Sequence, residues 1–406
     1  MALVVQKYGG TSVADAERIK HVARRVAARR RQGDDLVVVV SAMGDTTDEL
    51  IALAHQVSPE PEARELDLLL STGEVVSCTL LAMALKALGQ PAVALTGAQA
   101  GIGTDRRYGR ARILRVDPSR IRSHLAEGRI VVVAGFQGIT EEMDITTLGR
   151  GGSDTTAVAL AAALGAERCE IYTDVEGIYT ADPRIEPRAR KLERISYEEM
   201  LELASQGARV MHSRAVELGW AYKVPIYVAS SFSDAPGTLI CEGGEEMEQR
   251  NRVMGIAHDS DVGRITVRGV PDRPGIAAAI FGPLAEAGIS VDTIVQNASV
   301  ERLTDLTFTV SRADLKRAAA LVEPVAREIG ASAVLTDDHL AKVSVVGAGM
   351  QSAPGYAARM FRALYEAGIN IELITTSEIR ITCLIDAGRV PEAVWALHQA
   401  FELEQG

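Results

Sequence analysis

Short apolar runs alternate with longer amphipathic patterns over about the first 230 residues. The apolar runs are residues 3–6, 36–42, 92–95, 130–136, 169–174 and 225–230. The helical patterns between them include residues 14–31, 74–88, 153–164 and 198–206. Because continuous apolar strands separated by helices are typical of parallel sheets, the pattern predicts an α/β domain with a mostly parallel sheet covered by helices on both faces. Ligands of such sheets bind beyond the carboxyl ends of the strands.

The last part of the chain has a different organisation. Residues 235–252 are rich in glycine, glutamate and other polar residues, which marks a boundary. Beyond it, "PGIAAAIFGPLAEAGISVDTI" (274–294) aligns with "PGYAARMFRALYEAGINIELI" (354–374) at a constant offset of 80 residues. Each copy follows one strand pattern and precedes another. We therefore predict a repeated unit of strand, Pro-Gly turn, helix, glycine cap and two strands, with a further helix after it.

Composition narrows the class of protein. The 406 residues suffice for two or three domains. A net charge of −11 argues against binding to nucleic acid or to anionic membranes. The basic stretch 20–31 has apolar residues at helical spacing, so we interpret its arginines as a solvated helix face. No run approaches ~20 uninterrupted apolar residues, and the cysteines are far apart, as in proteins of a reducing compartment. These cysteines, expected to be small core residues, are Cys78, Cys169, Cys241 and Cys383. We expect a cytoplasmic protein.

The segment "LVVQKYGGTSV" (3–13) ends a strand with a lysine, two glycines and two hydroxyl residues. Glycines allow backbone N–H groups to approach a ligand, and a lysine beside them is a point charge suited to phosphate. A tight strand-to-helix turn with a surface lysine explains the same residues. Both interpretations remain open from this stretch alone.

The segment "TTLGRGGSDTTAVALAAALGA" (146–166) is more informative. Ser153 or Asp154 is placed to cap the helix that follows. A cap does not account for three glycines around Arg150, because glycines cost backbone entropy unless a close approach requires them. Since a guanidinium matches a carboxylate with two hydrogen bonds, this turn favours a binding function.

Three weaker signals accompany these two segments. "EIYTDVEGIYTADPR" (170–184) places Thr173 and Asp174 at a strand end, although Asp-Pro is also an ordinary turn. Gly73 and Glu74 are expected to precede a helix, where Glu74 either favours the helix start or pairs with an ammonium group. In "GARVMHSRAV" (207–216), Arg209 is a candidate second cation for phosphates, and His212 is expected to be structural or capping.

Taken together, these segments resemble aspartokinases of the amino-acid kinase superfamily. The resemblance rests on "KYGGTSV", "VVVVSAMGDTTDEL", "TGE", "TLGRGGSDTTA" and "YTDVEGIYTADPR", in this order, and on the repeats, which resemble tandem ACT domains. It covers essentially the whole chain. The implied fold is an amino-acid kinase domain (1–245) and a regulatory region (246–406) with two ferredoxin-like βαββαβ ACT domains. The first copy would span about 264–335 and lie within the second, about 250–263 plus 340–406.

The resemblance implies transfer of the ATP γ-phosphoryl group to the β-carboxylate of L-aspartate, with Mg²⁺ held mainly through nucleotide phosphates and water. The implied catalytic residues are Lys7, Asp154 and Arg150. The implied substrate-binding residues are Ser41, Thr47, Glu74, Arg150, Gly151 and Ser153. The implied ATP-binding residues are Lys7, Gly9, Gly10, Thr173, Asp174, Tyr179, Arg184 and Arg209.

For the repeats, the resemblance implies feedback binding of lysine, threonine or both, and at least a homodimer formed through the ACT domains. The implied effector-binding residues are Asp272, Gly275, Ile276, Ala277, Gln296, Asn370 and Ile371. A simple helix-entry turn at Gly275 and a loop residue at Asn370 are the alternative. Met247 and Met254 lie at the boundary, where an internal start would make a shorter regulatory chain.

Two rival functions remain at this stage. A non-catalytic amino-acid sensor would be expected to have lost Lys7, Arg150 or Asp154, and all three are present. A kinase acting on glutamate differs by one methylene in its substrate, which a pocket separates by only ~1–3 kcal/mol. The order of the motifs and the ACT pair favour aspartate.

Overall fold

The computed structural model describes residues 2–208, 210–243, 253–297, 302–350 and 354–405. The chain folds into two compact units. The first comprises residues 1–179, 191–205 and 209–245, and the second comprises 180–190, 206–208 and 246–406. Two short segments of the α/β part of the chain therefore belong to the second unit.

The first unit contains twelve strands and seven α-helices among its described residues. The strands are β1 (Leu3–Tyr8), β2 (Asp35–Val40), β3 (Ala92–Leu95), β4 (Ile102–Thr104), β5 (Ile113–Val116), β6 (Ile130–Ala134), β7 (Gln137–Ile139), β8 (Ile145–Thr147), β9 (Arg168–Thr173), β10 (Arg194–Ser196), β11 (Ile226–Ser230) and β12 (Thr238–Cys241). The helices are α1 (Ala16–Arg31), α2 (Thr46–Val57), α3 (Ala63–Ala87), α4 (Ser119–Ala126), α5 (Gly152–Leu164), α6 (Tyr197–Ser205) and α7 (Ser213–Ala221).

The main sheet has eight strands in the order β10-β12-β11-β9-β1-β2-β6-β3, and a smaller sheet has the order β5-β4-β7-β8. All neighbours in the main sheet are parallel except β11 and β12. Val4 and Tyr8 of β1 belong to the core that α1 and α3 cover. Since side chains alternate along a strand, Lys7 points to the opposite face, where α5 packs. The predicted mostly parallel sheet covered on both faces is confirmed.

Two helix starts differ from the sequence prediction. Helix α3 begins at Ala63 rather than near residue 74, so that Glu74 lies in its middle and does not precede it. Its buried face includes Asp67, Ser71 and Glu74, and buried polar residues conceal the apolar periodicity from which a helix is predicted. Helix α1 begins at Ala16 with Asp15 as its N-cap, and a 3₁₀ turn, Gly10–Val13, precedes it.

Helix α3 is also the one described helix that is long and apolar enough to cross a membrane by length and composition alone. Half of its most apolar window is buried, as in the core helix of a folded domain. The four thiols are free, and three of them are buried as predicted, whereas Cys241 is half-buried.

The second unit contains eight strands and four helices among its described residues. The strands are β13 (Gly255–Asp259), β14 (Gly263–Pro271), β15 (Ile294–Gln296), β16 (Leu303–Val310), β17 (Ala333–Asp337), β18 (Leu340–Val346), β19 (Leu373–Thr376) and β20 (Arg380–Asp386). The helices are α8 (Ile276–Glu286), α9 (Leu315–Ile329), α10 (Tyr356–Glu366) and α11 (Val390–Ala400). The strands form two antiparallel sheets, β15-β16-β14-β17 and β13-β18-β20-β19.

The first of these sheets, with α8 and α9, is a complete βαββαβ unit in chain order. In the second sheet, β13 occupies the edge position that β17 has in the first. The strand β13 precedes the whole first copy along the chain, so the first copy is inserted between two parts of the second. Helices α8 and α10 each begin after a glycine with positive φ, Gly275 (92°) and Gly355 (107°), which explains the repeated Pro-Gly turn.

Candidate active site

Lys7 and Asp154 form a buried ion pair at the carboxyl end of the main sheet. The Lys7 Nζ lies 2.7 Å from the Asp154 Oδ1, and the two side chains are 12% and 11% exposed. Lys7 is the penultimate residue of β1, and Asp154 is in the first turn of α5. A small part of each charged side chain remains exposed. Lys7 can therefore contact a ligand while Asp154 holds its ammonium group.

The glycine turn after β1 is explained partly by packing. A Cβ on Gly10 would lie 2.9 Å from the carbonyl oxygen of Ala42 and 3.1 Å from that of Gly44, so the loop after β2 excludes any side chain there. The amide of Gly9 donates to the carbonyl of Tyr172, 3.2 Å away. A Cβ on Gly9 would come within 3.5 Å of the Lys7 Nζ. The turn therefore brings the backbone of β1, β2 and β9 together around the lysine.

The turn at residues 149–152 is built differently from the sequence prediction. The N-cap of α5 is Gly151, in the left-handed conformation (φ 68°), and neither Ser153 nor Asp154 caps the helix. A Cβ on Gly151 would lie 2.2 Å from the Cβ of His212. His212 is the N-cap of α7, as expected of a capping residue, and its Nδ1 accepts from the amide of Arg214. The glycine is therefore required by the close approach of α7, while Asp154 remains available to Lys7.

Glu74 is a buried carboxylate with an incomplete set of partners. The side chain is 3% exposed, and its Oε1 accepts from the amide of Ala42 at 3.2 Å. Its Oε2 has no hydrogen-bond partner among the described residues. Burial raises the pKa of Glu74 to about 7. Such a group favours the approach of a cation, because a cation would stabilise the ionised form.

Helix α3 connects Glu74 to several loops at the same edge of the sheet. Ser77 donates to the carbonyl of Ser41, directly after β2, at 2.7 Å. Asp67 accepts from the amide of Thr147 at 2.8 Å and from its hydroxyl at 2.7 Å, three residues before Arg150. Sequence reasoning missed Asp67, because nothing distinguishes it from a surface acid in the pattern around it.

Ser41 and Thr47 lie beside this region, both half-buried, the first after β2 and the second in the first turn of α2. Ser153 is buried in the first turn of α5. Arg150 is exposed, and the structure shows no ion pair for it among the described residues. The predicted substrate residues thus come from β2, α2, α3 and α5.

The predicted nucleotide residues divide between the two units. Thr173 ends β9, and its hydroxyl contacts the carboxylate of Asp174 at 3.1 Å. Tyr179 is half-buried, and burial raises its pKa. Arg184 belongs to the segment 180–190 of the second unit and pairs with Asp182 at 2.7 Å. Arg209 lies outside the described residues.

A cavity of about 940 Å³ is lined in part by Leu148, Gly149 and Arg150, directly before α5. We call it the arginine cavity. Its lining comprises Arg107, Arg110, Arg112, Ile113, Leu148, Gly149, Arg150, Thr155, His212, Arg214, Glu217, Leu218 and Ala221. Of the residues predicted to be functional, only Arg150 lines it. The segment "DRRYGRARILR" carries five arginines in a chain with a net charge of −11, and that contrast was the available signal.

In the second unit, the predicted effector residues of the first repeat cluster around the start of α8. Asp272, Gly275 and Ala277 are exposed, whereas Ile276 is buried. Gln296 is exposed on the edge strand β15. Asn370 of the second repeat donates to Glu372 at 2.9 Å, and Ile371 is half-buried.

The comparisons with known proteins agree with this organisation. Residues 2–230 match the Amino acid kinase family, and residues 264–328 and 343–401 each match an ACT domain. The chain is therefore an amino-acid kinase with a tandem ACT region.

The relatives narrow the class further. The aspartokinase of Mycolicibacterium smegmatis is 54% identical over 407 aligned residues, which cover 99% of this chain and 97% of that protein. The crystal structure of E. coli aspartokinase III in complex with aspartate and ADP (R-state) is 27% identical, with a TM-score of 0.81, and covers 98% of this chain and 100% of that one. The complex of the same enzyme with lysine and aspartate (T-state) is 26% identical, with a TM-score of 0.74, over 98% of this chain and 99% of that one. The chain belongs to the aspartokinase family and is an ATP-dependent phosphotransferase.

Proposed function

We propose that the site around Lys7, Asp154 and Glu74 transfers the ATP γ-phosphoryl group to the β-carboxylate of L-aspartate and gives 4-phospho-L-aspartate. This reaction would be the first step of lysine, threonine and methionine biosynthesis. The observation that carries the proposal is the buried pair of Lys7 and Asp154, 2.7 Å apart, at the carboxyl edge of a parallel sheet. A β-carboxylate is already ionised at neutral pH, so the reaction needs no general base.

The main task of the site is to bring two anions together in line. Lys7 and the amide of Gly10 bind the β- and γ-phosphates, while Gly9, whose amide donates to the carbonyl of Tyr172, allows the turn to approach them. Asp154 fixes the Lys7 ammonium, since the pair is already formed at 2.7 Å. Lys7 then contributes charge that stabilises the transferring phosphoryl group.

We propose that Mg²⁺ is held mainly through the nucleotide phosphates and water. The single cluster of three possible protein ligands among the described residues is Asp337, Asp338 and His339, a largely exposed turn of the second unit. The described part of the first unit offers no such cluster, and Asp154 is the carboxylate nearest to Lys7 that could hold a metal-bound water. Bound there, the ion would neutralise part of the charge of the phosphates.

L-Aspartate binds between α3 and the turn before α5. Arg150 binds its α-carboxylate with the two N–H groups of the guanidinium edge. Glu74 accepts from its α-ammonium group through Oε2, which has no other partner among the described residues. Without a ligand, ionised Glu74 is a buried charge that has no cationic partner among the described residues. The ammonium group forms an ion pair with it and so stabilises the ionised form. Ser41, Thr47, Gly151 and Ser153 complete the pocket.

The nucleotide lies along the segment after β9. Thr173, Asp174 and Tyr179 bind its base and ribose, and Arg184 and Arg209 contribute cations. We also propose regulation by lysine, threonine or both, bound by Asp272, Gly275, Ile276, Ala277 and Gln296 together with Asn370 and Ile371. The lysine complex of E. coli aspartokinase III supports this class of effector.

A homodimer or larger assembly through the ACT domains would complete each effector site, because the exposed edge strands β15 and β19 are available for pairing. A shorter regulatory chain could start at Met247, which is outside the described residues, or at Met254. A single product of ~43 kDa on a denaturing gel of native material would contradict the shorter chain.

The experiment is a hydroxylamine trap of the acyl phosphate, run with ATP and Mg²⁺ and with L-aspartate or L-glutamate. Each reaction is repeated with lysine, with threonine and with both. We expect a hydroxamate from aspartate, and a smaller amount when the effector is present. Equal or faster turnover of glutamate would contradict the substrate. Activity that ignores both amino acids would contradict the regulatory proposal and leave the reaction standing.

A further inference from the structure

We propose that the arginine cavity is a separate binding site for a multivalent oxyanion of the phosphate class. The first observation is its charge. The chain has a net charge of −11, yet the lining of this cavity includes five arginines and a single carboxylate, that of Glu217. Lys7 and Asp154 do not line the cavity, so it is distinct from the phosphate site proposed above, and it shares only Arg150 with the residues proposed to bind aspartate.

The second observation is the lack of compensating acids. Arg110, Arg112 and Arg150 form no ion pair with any described residue. Arg107 has one acidic neighbour, Asp105, at 3.6 Å. Positive charges that converge on one cavity repel each other unless an anion joins them. An anion with two or more charges relieves this repulsion better than a monovalent one.

The third observation is that the arginines project from an ordered loop. The amide of Gly109 donates to both carboxylate oxygens of buried Asp67, each at 2.9 Å. The amide of Ala111 donates to the carbonyl of Thr147 at 2.9 Å, and the hydroxyl of Tyr108 donates to Asp144 at 3.0 Å. Because the backbone that carries Arg107, Arg110 and Arg112 is already fixed, a ligand need order only their side chains.

The opposite wall is fixed as well. Arg214 donates to the carbonyl of Leu148 at 2.6 Å and to that of Ala111 at 3.0 Å, and so joins the loop to the strand end before Gly149. Burial, and then the charge of Arg112, lower the pKa of Arg214, which indicates a positive local potential. The Nδ1 of His212 accepts from the Arg214 amide, so its neutral ring carries a proton on Nε2 and offers a further donor.

The size and the donor geometry define the ligand. A cavity of about 940 Å³ holds a small molecule rather than a macromolecule. Guanidinium groups bind phosphate and carboxylate through paired N–H donors. With the guanidinium groups of Arg110 and Arg112 uncompensated, a phosphate or diphosphate of charge −2 or beyond balances the site, whether it is a free ion or part of a small metabolite.

The test is isothermal titration calorimetry of the full chain with inorganic pyrophosphate, without Mg²⁺, in a K7M background that lacks the lysine of the proposed nucleotide phosphate site. The test variant is R110Q/R112Q. The matched control is R31Q/R120Q, which removes two exposed arginines of α1 and α4 and changes the net charge equally. R112Q alone serves if the double variant does not fold. Titration with citrate compares a polycarboxylate with the phosphate class.

We expect pyrophosphate to bind K7M, to bind at least about tenfold more weakly when R110Q/R112Q is added, and to bind within about twofold of K7M when R31Q/R120Q is added. Absence of binding to K7M, or equal affinity after either pair of substitutions is added, would overturn the proposal. Tighter binding of citrate than of pyrophosphate would overturn the assignment to phosphate. None of these readouts requires that the chain phosphorylate aspartate, so the outcome is independent of the proposed reaction.

Discussion

Asp154 and Glu74 are both buried carboxylates near the carboxyl edge of the main sheet, but their surroundings differ. Asp154 is paired with Lys7 at 2.7 Å, so its charge is compensated within the protein. Glu74 has one backbone donor and one oxygen without a partner among the described residues. The first group is therefore suited to hold a cation of the protein, and the second to receive a cation from a ligand.

Replacing Lys7 by methionine removes the charge and keeps much of the volume. We expect K7M to lower kcat by roughly 10²–10³-fold, as loss of one preorganised donor to a developing charge does. The variant also leaves Asp154 buried without its partner, which costs about 3–5 kcal/mol if the carboxylate stays ionised. The hydroxylamine trap and thermal unfolding measure the two effects.

The matched control is K20M. Lys20 pairs with Glu17 at 2.7 Å on the exposed face of α1, where an ion pair contributes about 0–1 kcal/mol. The activity and melting temperature of K20M should stay close to those of wild type. A K7M variant that retained full kcat would contradict the role assigned to Lys7.

The raised pKa of Glu74, about 7, predicts a pH dependence of substrate binding. Below that pH the group is protonated and cannot pair with an ammonium, so kcat/KM for aspartate should fall by about tenfold per pH unit in the acid limb. E74Q should remove this limb and raise KM for aspartate at pH 8. A pH profile of kcat/KM for both proteins, with ATP saturating, tests this.

The same group predicts an opposite effect on stability. Its folded-state pKa lies above the ordinary value, so its contribution is present below pH ~4.5 and is lost as pH rises through ~7. A shift from 4.5 to about 7 corresponds to at most about 3 kcal/mol. Without substrate, E74Q should therefore be more stable than wild type at pH 8, and not at pH 5. Equal unfolding free energies at both pH values would contradict the burial of an ionisable Glu74.

At the scale of the element, α3 connects the loops of the site. Its buried face carries Asp67, Ser71, Glu74 and Ser77, one polar residue per turn. The side chains of Asp67, Glu74 and Ser77 contact Thr147 of β8 and the loop after β2. The side chain of Gln137 in β7 donates to the backbone carbonyl of Ser71. In the first unit the sequence predicted β1, β2, β3, β6, β9 and β11, missed β4, β5, β7, β8, β10 and β12, and placed the start of α3 too late. Strands buried on both faces are continuously apolar, whereas the polar residues of α3 are recognisable only from the loops they contact.

The turn before α5 gives a second example at this scale. The sequence of the turn indicates that glycines are needed, but not what approaches them. The structure identifies His212, which is more than 60 residues away along the chain, as the group that excludes a side chain at Gly151. A contact between distant residues has no local pattern, so no reading of the turn alone could have found it.

Gly151→Ala tests this contact against a matched position. Gly151 and Gly165 flank the same helix with nearly equal φ values, 68° and 67°. A Cβ on Gly165 meets nothing within 4 Å, whereas one on Gly151 would lie 2.2 Å from His212. G165A should cost only the left-handed backbone strain of about 1–2 kcal/mol. G151A should cost about 1–3 kcal/mol more, through overpacking, and lower kcat because Arg150 and Asp154 flank it. Equal unfolding free energies of the two variants would contradict the contact.

At the scale of the whole molecule, the chain crosses between the units more often than its composition indicates. The polar stretch at 235–252 predicts one boundary, but residues 180–190 and 206–208 also belong to the second unit. Nothing in the composition of these short segments marks the crossings. Within the second unit, Thr180 contacts His398 at 3.0 Å, and Arg188 pairs with Glu404 at 3.0 Å. The segment 180–190 therefore leaves the first unit just after Tyr179, anchors in the second ACT copy, and returns at Lys191.

The path of the chain predicts that the contact of Thr180 with His398, which anchors the segment, affects binding of the nucleotide and not binding of aspartate. The Thr180 hydroxyl contacts the Nε2 of fully buried His398 and accepts from the amide of Arg190 at 2.9 Å. Thr180→Val keeps the shape and leaves both groups unpaired, which costs about 1–3 kcal/mol. Because Tyr179 precedes the anchor and Arg184 follows it, we expect the KM for ATP to rise about threefold or more while the KM for aspartate changes little.

Steady-state kinetics with each substrate varied in turn measure this difference. The control is T376V, the same substitution at an exposed position of the edge strand β19. It should leave both KM values unchanged. An equal rise of both KM values in T180V would indicate a general loss of structure, and no change in either would contradict the coupling of residues 180–190 to the nucleotide. A selective effect on ATP would mean that residues 180–190 contribute to nucleotide binding.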